Sequence, residues 1–289
     1  MNCTGILDVG GGRVQQDAYR ILRIGSIACV VIVCDGHGDG GELISECVVN
    51  HICDLLSDMT VEVFLEKVCN NWETLSTSLF SSAHDAVCGI GSGGSTATLV
   101  VRVQNNAHIA YVGDSKAILV TKGGESVDLC RENHSPMSKE EYNRIRSCSS
   151  KLLFKYGGNV QEDIFDESGE FVEPDYIRTG ASHKNVSGDW GCHVIAPSGS
   201  ALAMTRALGD LAFSNFGVSH VPSTDICTIG EGESIVIASD GLWDNWVDDD
   251  VAKMVHGHVT LNEMVKKNEK MGIAHFGEAR DNVCIVIIT

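Results

Sequence analysis

Ile27-Ala28-Cys29-Val30-Val31-Ile32-Val33-Cys34-Asp35-Gly36-His37-Gly38-Asp39-Gly40-Gly41 joins an apolar run to a polar, glycine-rich end. Its apolar half is rich in β-branched side chains and shows no helical period, so it reads as a strand buried on both faces. The strand delivers an aspartate, a histidine and a row of glycines to its end, where backbone can come close to a bound ion or anion. An Asp-Gly turn is the ordinary reading of such a dipeptide. A calcium loop is the sharper rival, because Asp35, His37, Asp39, Gly40 and Glu46 fall on ligand and turn positions of that pattern. It fails because the lead-in is β rather than helical and because His37 stands where an oxygen ligand belongs.

Upstream, Gly10-Gly11-Gly12 opens onto Arg13-Val14-Gln15-Gln16-Asp17, and Arg20 to Ile24 alternates as a strand does. Downstream, Leu43, Ile44, Cys47, Val48, His51, Ile52 and Leu55 recur at helical spacing, and a second amphipathic stretch runs from about Val61 to Val87, predicting two long helices. Gly91 to Thr96 leads into Ala97–Val103, and further β-like runs follow at His108–Val112, Ala117–Thr121 and Ser126–Leu129. Their short turns predict an antiparallel meander. Ser138 with Glu141 reads as a capping box for a helix through Arg146. From Ser147 to about Ser200 the pattern dissolves, which marks a lid or a mobile insertion. Order returns at Ala201–Leu211, then in strands at Ile226–Ile229 and Ser234–Ser239. Two helices follow, one opened by Asp248-Asp249-Asp250 and one capped by Thr260 with Glu263. Asp281-Asn282 and the strand Val283–Ile288 close the chain. With no repeat and no linker, one domain over 1–289 is expected, carrying a long irregular flap at about 147–200. Two groups of strands with helix pairs between them predict an α+β layered sandwich.

At 289 residues the chain can bury a full core, and 43% hydrophobic with 21% charged residues describes a globular protein. A formal charge of −18 counts against nucleic acid or an anionic membrane as partner and suits a cleft that collects cations. The twelve cysteines show no CxxC pair and no zinc spacing. With no secretory signal and no apolar run of transmembrane length, reduced thiols and a cytoplasmic location are expected, with the nucleus as a second. Asn2 in place of glycine excludes myristoylation there.

Asp35, Asp114, Asp240 and Asp281 each stand at one end of an apolar strand. Aspartate is disfavoured at buried strand ends unless it is paired or bound to a cation. One such residue would be a turn; four suggest carboxylates converging on hard cations such as Mg²⁺ or Mn²⁺.

With those residues the chain resembles the metal-dependent protein serine/threonine phosphatases of type 2C. The matching motifs are Arg13-x-x-x-Asp17, Val33-Cys34-Asp35-Gly36-His37-Gly38, Gly94-Ser95-Thr96-Ala97, Val112-Gly113-Asp114-Ser115 and Glu141-x-x-Arg144-Ile145. Leu202 to Asp210, Ala238 to Asp244 and Arg280-Asp281-Asn282 continue them in family order. The resemblance implies a four-layer α-β-β-α sandwich of two antiparallel sheets flanked by helix pairs, with two metal ions at one end. It implies that Asp35 bridges both ions, that the Gly36 carbonyl helps to bind one, and that Asp240 and Asp281 complete the other. Asp17 would hold metal-bound waters. Asp114 is implied to lie outside the metal shell, in a turn or salt bridge. The chemistry implied is in-line attack on phosphorus by a water activated between two metals, without a covalent phosphoenzyme. Arg13 would clamp phosphate with its planar fork, and His37 would protonate the leaving alkoxide. The partners implied are phosphorylated proteins, and a monomer is expected.

The chain departs from the family pattern in places. Gln16 stands where the family often has glutamate, which removes one negative charge and predicts weaker metal affinity. Gly113-Asp114-Ser115-Lys116 ends in lysine in place of arginine. Asn133 replaces an aspartate that serves a third, weaker ion, which counts against that ion. Asp163, Asp166, Glu167, Glu170, Glu173 and Asp175 make the flap acidic; they read first as a solvated loop and second as a lid favouring basic phosphopeptides. A cysteine-dependent phosphatase loop is absent, since no cysteine has arginine six residues on. Walker-type and kinase loops lack their lysine. The non-enzyme alternative is a pseudophosphatase scaffold, which typically loses the metal-centre aspartates that this chain keeps.

Overall fold

A central strand buried on both faces, with successive side chains pointing to opposite sides, builds the middle of the molecule. The computed structural model describes residues 2–12, 14–148, 153–156, 159–173, 183–278 and 281–289. Strands β1 (Cys3–Asp8), β2 (Asp17–Ile24) and β3 (Ala28–His37) come first, then helices α1 (Gly41–Ser57), α2 (Val61–Asn70) and α3 (Trp72–Val87). Strands β4 (Gly94–Ser95), β5 (Ala97–Val103), β6 (Asn106–Val112), β7 (Lys116–Val120) and β8 (Ser126–Asp128) follow, with helix α4 (Lys139–Cys148) after them. Then come β9 (Leu153–Tyr156), β10 (Asn159–Gln161), β11 (Cys192–Ile195), β12 (Ala201–Leu202) and β13 (Leu208–Gly209). The last strands are β14 (Ser223–Thr228), β15 (Ser234–Ala238) and β16 (Val283–Ile288).

One sheet runs β13-β4-β3-β5-β6-β14 with β2 also on β3, and the second runs β1-β16-β15-β7-β8. The odd-numbered side chains Cys29, Val31 and Val33 of β3 face the second sheet, where they meet Ile235 and Ile237 of β15 and Val286 of β16. The even-numbered Val30, Ile32 and Cys34 face the other way, onto Ile44, Val48 and Ile52 of α1. β16 alternates in the same manner, with Val283, Ile285 and Ile287 turned outward onto Val251 and Met264 of the helices Asp248–His256 and Leu261–Phe276. A residue buried on both sheet faces has no place for a polar side chain, hence the apolar runs. Each such Val or Ile contributes about 1.5–3 kcal/mol by leaving water. The result is the expected α-β-β-α sandwich. The expected starts of the last two long helices also appear: acidic residues fill the first turn of Asp248–His256, and Thr260 with Glu263 closes a capping box on Leu261–Phe276.

Several expectations need correction. The meander does not stay in one sheet: β5 and β6 pair in the first, while β7 and β8 belong to the second. The Gly113-Asp114-Ser115 turn therefore carries the chain across the sandwich. The stretch from Val61 to Val87 breaks into α2 and α3 at Asn71 (φ −138°, ψ 36°), whose backbone leaves the helical region, while Phe64 and Val68 before it and Trp72, Leu75 and Leu79 after it join one apolar cluster. The Ser138–Glu141 capping box does not form; Ser138 Oγ donates to Glu140, and Glu141 turns inward to arginines. β1 had no sequence signal, and pairs with β16 along its whole length.

The 147–200 stretch is also not irregular throughout. A third small sheet, β10-β9-β11-β12, packs Phe154, Tyr156 and Val194 with Tyr142 and Ile145 of α4 and with Ile164 into a separate apolar cluster. Phe165 and Phe171 stack edge to face against it.

Candidate active site

The ends of β2 and β3, and the chain just after β15 and before β16, lie together at one edge of the sandwich. Asp17 and Asp35 are directly opposite in the β2–β3 register. The strand end there is held from both sides. Asp35 N donates to Thr96 Oγ1 (3.0 Å) and Thr96 N donates back to Asp35 O (2.9 Å). Gly36 N donates to Gln16 O (3.0 Å). A Cβ on Gly36 would stand 2.1 Å from the Gly41 carbonyl oxygen, so only glycine lets the start of α1 close onto this turn.

Ser239 links the two sheets at this point. Its Oγ donates to Asp17 Oδ2 (2.7 Å) and accepts from Cys284 N (2.9 Å). Asp240 then opens a one-turn helix, Asp240–Trp243, held by Trp243 Nε1 donating to Ala238 O (2.9 Å). Asn282 fixes the neighbouring Asp281: its Nδ2 donates to Val9 O (2.9 Å), and its Oδ1 accepts from Gln16 N (2.7 Å). Asp240 and Asp281 line one cleft of about 720 Å³ together with Asp114 and Asp244.

The electrostatics follow from this crowding. Burial, then the charges of Asp240, Asp17 and Asp114, hold the Asp35 carboxyl well above the usual carboxylate range. Burial and the charges of Asp240 and Asp281 outweigh the Ser239 hydrogen bond and push Asp17 up to about 7. Like charges held together without a counter-ion cost free energy, which a cation removes.

A hard divalent cation fits the donor chemistry: every ligand expected is a carboxylate or carbonyl oxygen, and Asp17 Oδ1 is buried with no hydrogen-bond partner. Among the described residues, no group of three or more acidic, histidine or cysteine side chains forms a ready coordination shell. The site offers charge and oxygen donors, not a closed cage.

Asp17, Asp35 and Asp240 are thus brought together, with Gly36 adjacent and Asp281 at the rim. Arg13 lies outside the described residues. His37 is present but turned to a partner that sequence reasoning did not assign: its ring Nε2 lies 2.7 Å from Asp210 Oδ2. Burial pulls the His37 pKa down, but the Asp210 hydrogen bond and the charges of Asp210, Asp114 and Asp240 raise it above its ordinary value. Asp210 closes the Leu202–Asp210 motif, and its left-handed backbone (φ 50°) was the feature no sequence pattern revealed. Lys184 was also missed. Its ammonium contacts Asp114 Oδ2 and lies 3.3 Å from Asp240 Oδ2. Asp114 is therefore salt-bridged, as expected. Lys116 serves structure, pairing with Asp248 (2.6 Å) over the Trp243 ring. Gln16 spends its amide N–H groups on Gly38 O (3.1 Å) and Glu42 (3.3 Å).

Two facing antiparallel sheets with helices outside carry an acidic cleft at one edge. The Protein phosphatase 2C family model matches residues 53–276, and the chain belongs to that family. Probable protein phosphatase 2C 76 of Arabidopsis thaliana is 25% identical over 283 residues, covering 96% of this chain and 56% of that protein. Probable protein phosphatase 2C 72 of the same plant is 27% identical over 267 residues, covering 86% of this chain and 72% of its own length. The chain spans little more than half of the first of these relatives. A solved serine-threonine phosphatase 2C from Toxoplasma gondii shares the fold, with a TM-score of 0.71 at 15% identity over 99% of this chain and 93% of that one. Asp17, Asp35 and Asp281 fall outside the matched range, so their placement rests on the geometry above.

Proposed function

We propose that this chain hydrolyses phosphoserine and phosphothreonine in proteins, using Mg²⁺ or Mn²⁺ and no covalent phosphoenzyme. The observation that carries the reading is the meeting of Asp17, Asp35 and Asp240, from three places in the sequence, where burial and then the neighbouring carboxylates raise the pKa values of Asp17 and Asp35. Asp35, Asp240, Asp281 and the Gly36 carbonyl would hold two ions. Bound there, the ions supply an acidified water and draw charge from the phosphoryl oxygens.

The chain's own groups do the rest. Ser239 fixes the Asp17 carboxylate, whose free oxygen can orient a water. Asp210 holds the His37 ring and favours its protonated form, leaving the buried Nδ1 without a partner as the proton donor toward the leaving alkoxide. Arg13, a short step before Asp17, is the proposed phosphate clamp.

Turnover of a chromogenic phosphate ester tests this, with Mn²⁺ and with chelator, in the natural chain and in Asp240→Asn. Loss of turnover in both the chelated and the substituted samples is expected. Turnover that survives both would remove the metal mechanism, and none under any condition would leave the scaffold alternative.

A further inference from the structure

We propose that Lys184 is a built-in cation of the acidic centre: its ammonium takes the position between Asp114 and Asp240 and clips the 183–190 segment over the cleft. The ammonium meets both carboxylates, and the charge of Asp244 also acts on it. Two carboxylates in contact with one lysine, and the charge of a third acting on it, are more than a surface pair requires. Lysine suits the position because it is a compact point charge whose three N–H donors can serve several acceptors at once. Asp114 Oδ1 is buried without a hydrogen-bond partner, so the carboxylate depends on this charge.

The segment that presents Lys184 is built to do so. Asn185 and Asp189 bond to each other twice, Asn185 Nδ2 donating to Asp189 Oδ2 (2.9 Å) and Asp189 N donating to Asn185 Oδ1 (3.1 Å). Lys184 N donates to Asp189 O (2.6 Å), which closes the turn. Val186 N donates to Asp244 O (2.9 Å), which pins the turn beside the one-turn helix that starts at Asp240. His183 and Trp190 meet across its base, their rings tilted with centroids 4.2 Å apart. The flap is therefore tied to Asp240 by charge and to Asp244 by backbone.

Two consequences follow. A positive charge beside Asp240 competes for the same oxygen with any divalent ion, so Lys184 sets metal affinity from the flap. The same contact also holds the segment in place. The second consequence is independent of the function proposed above; the first rests on it.

Lys184→Gln and Lys184→Arg test both. Hydrogen–deuterium exchange over 183–190, without metal, is expected to speed up in Lys184→Gln and to stay near the natural rate in Lys184→Arg. Manganese titration followed by electron paramagnetic resonance is expected to show binding about fivefold tighter in Lys184→Gln, since a nearby like charge is gone, and little altered in Lys184→Arg. Exchange left unchanged by Lys184→Gln overturns the proposal, as does an unchanged or weakened Mn²⁺ affinity. A natural chain that binds no Mn²⁺ would overturn the two-metal function, while exchange would still decide whether Lys184 clips the segment.

Discussion

Asp17 concentrates the problem of the site in one side chain. It is 4% exposed, accepts one hydrogen bond from Ser239, and faces Asp35, Asp240 and Asp281. A carboxyl whose folded pKa is raised costs stability above the ordinary carboxylate range, and a bound cation removes that cost. With Asp17 pushed up to about 7, protons compete with metal below that pH. The rise in melting temperature on adding Mn²⁺ should therefore be larger at about pH 8 than at about pH 6; equal rises would refute the coupling. Asp17→Asn keeps the shape but not the charge. It should weaken Mn²⁺ binding by about 10–100-fold, as loss of an outer-shell partner does, in calorimetry with the metal-free melting temperature held or raised. Gly94 is a second sensitive point: a Cβ there would stand 2.1 Å from Asp210 Oδ2, the group that holds His37. Gly94→Ala should cost roughly 1–3 kcal/mol of stability as overpacking, with turnover falling further than Mn²⁺ affinity. Equal losses in both would place the damage elsewhere.

At the scale of elements, α4 is held by charge inside an apolar cluster. Glu141 is buried and accepts from Arg144 Nη2, Arg206 Nη2 (2.7 Å) and Thr205 Oγ1. Burial raises its pKa, but the two arginines and the threonine outweigh that and hold it far below the ordinary value. A depressed carboxyl contributes stability above the unfolded-state value, lost as pH falls toward the folded one. Glu141→Gln should destabilise by about 3–5 kcal/mol at neutral pH, by breaking a buried pair. The gap between the two chains should shrink on acidification below about pH 4; a gap constant with pH would show the ion pair to be idle. The same network explains what the sequence could not show. Ser138-x-x-Glu141 has the letters of a capping box, but Arg144, three residues on, and Arg206, distant in sequence, outbid the local cap. The buried strands β3, β15 and β16 were legible because residues buried on both faces must be apolar whatever surrounds them. The crossing at Gly113-Asp114-Ser115 was not, since a short turn joins strands of one sheet or two with the same residues. Nor was the cluster of Phe154, Tyr156 and Val194, whose apolar residues are too dispersed for any period. Asp35, Asp240 and Asp281 stood out at strand ends; Lys184 and Asp210 did not, since their roles depend on neighbours far along the chain.

Across the whole molecule, the formal charge of −18 sets a condition on any phosphorylated substrate. A phosphate dianion is repelled at long range, and attraction at the centre acts only within the cleft. On the proposed function, residues flanking the phosphorylated serine or threonine would therefore bring the substrate in. Within the flap, Asp163 accepts from Tyr142 Oη (2.5 Å) and pairs with Arg146 (2.9 Å), and Asp166 Oδ1 accepts from Ser168 N and Glu170 N. Those two acids are spent internally. The attraction should then come from the summed field and not from one dedicated pocket, which makes it sensitive to salt. A phosphopeptide with lysine and arginine flanks should show a KM about tenfold below its acidic counterpart near 0.02 M salt, by steering alone. At about 1 M salt, where the screening length is about 3 Å, the two KM values should converge while kcat stays the same for both. A preference that persists at high salt would instead require close charge pairs in the cleft, and the field of the whole molecule would not be its source.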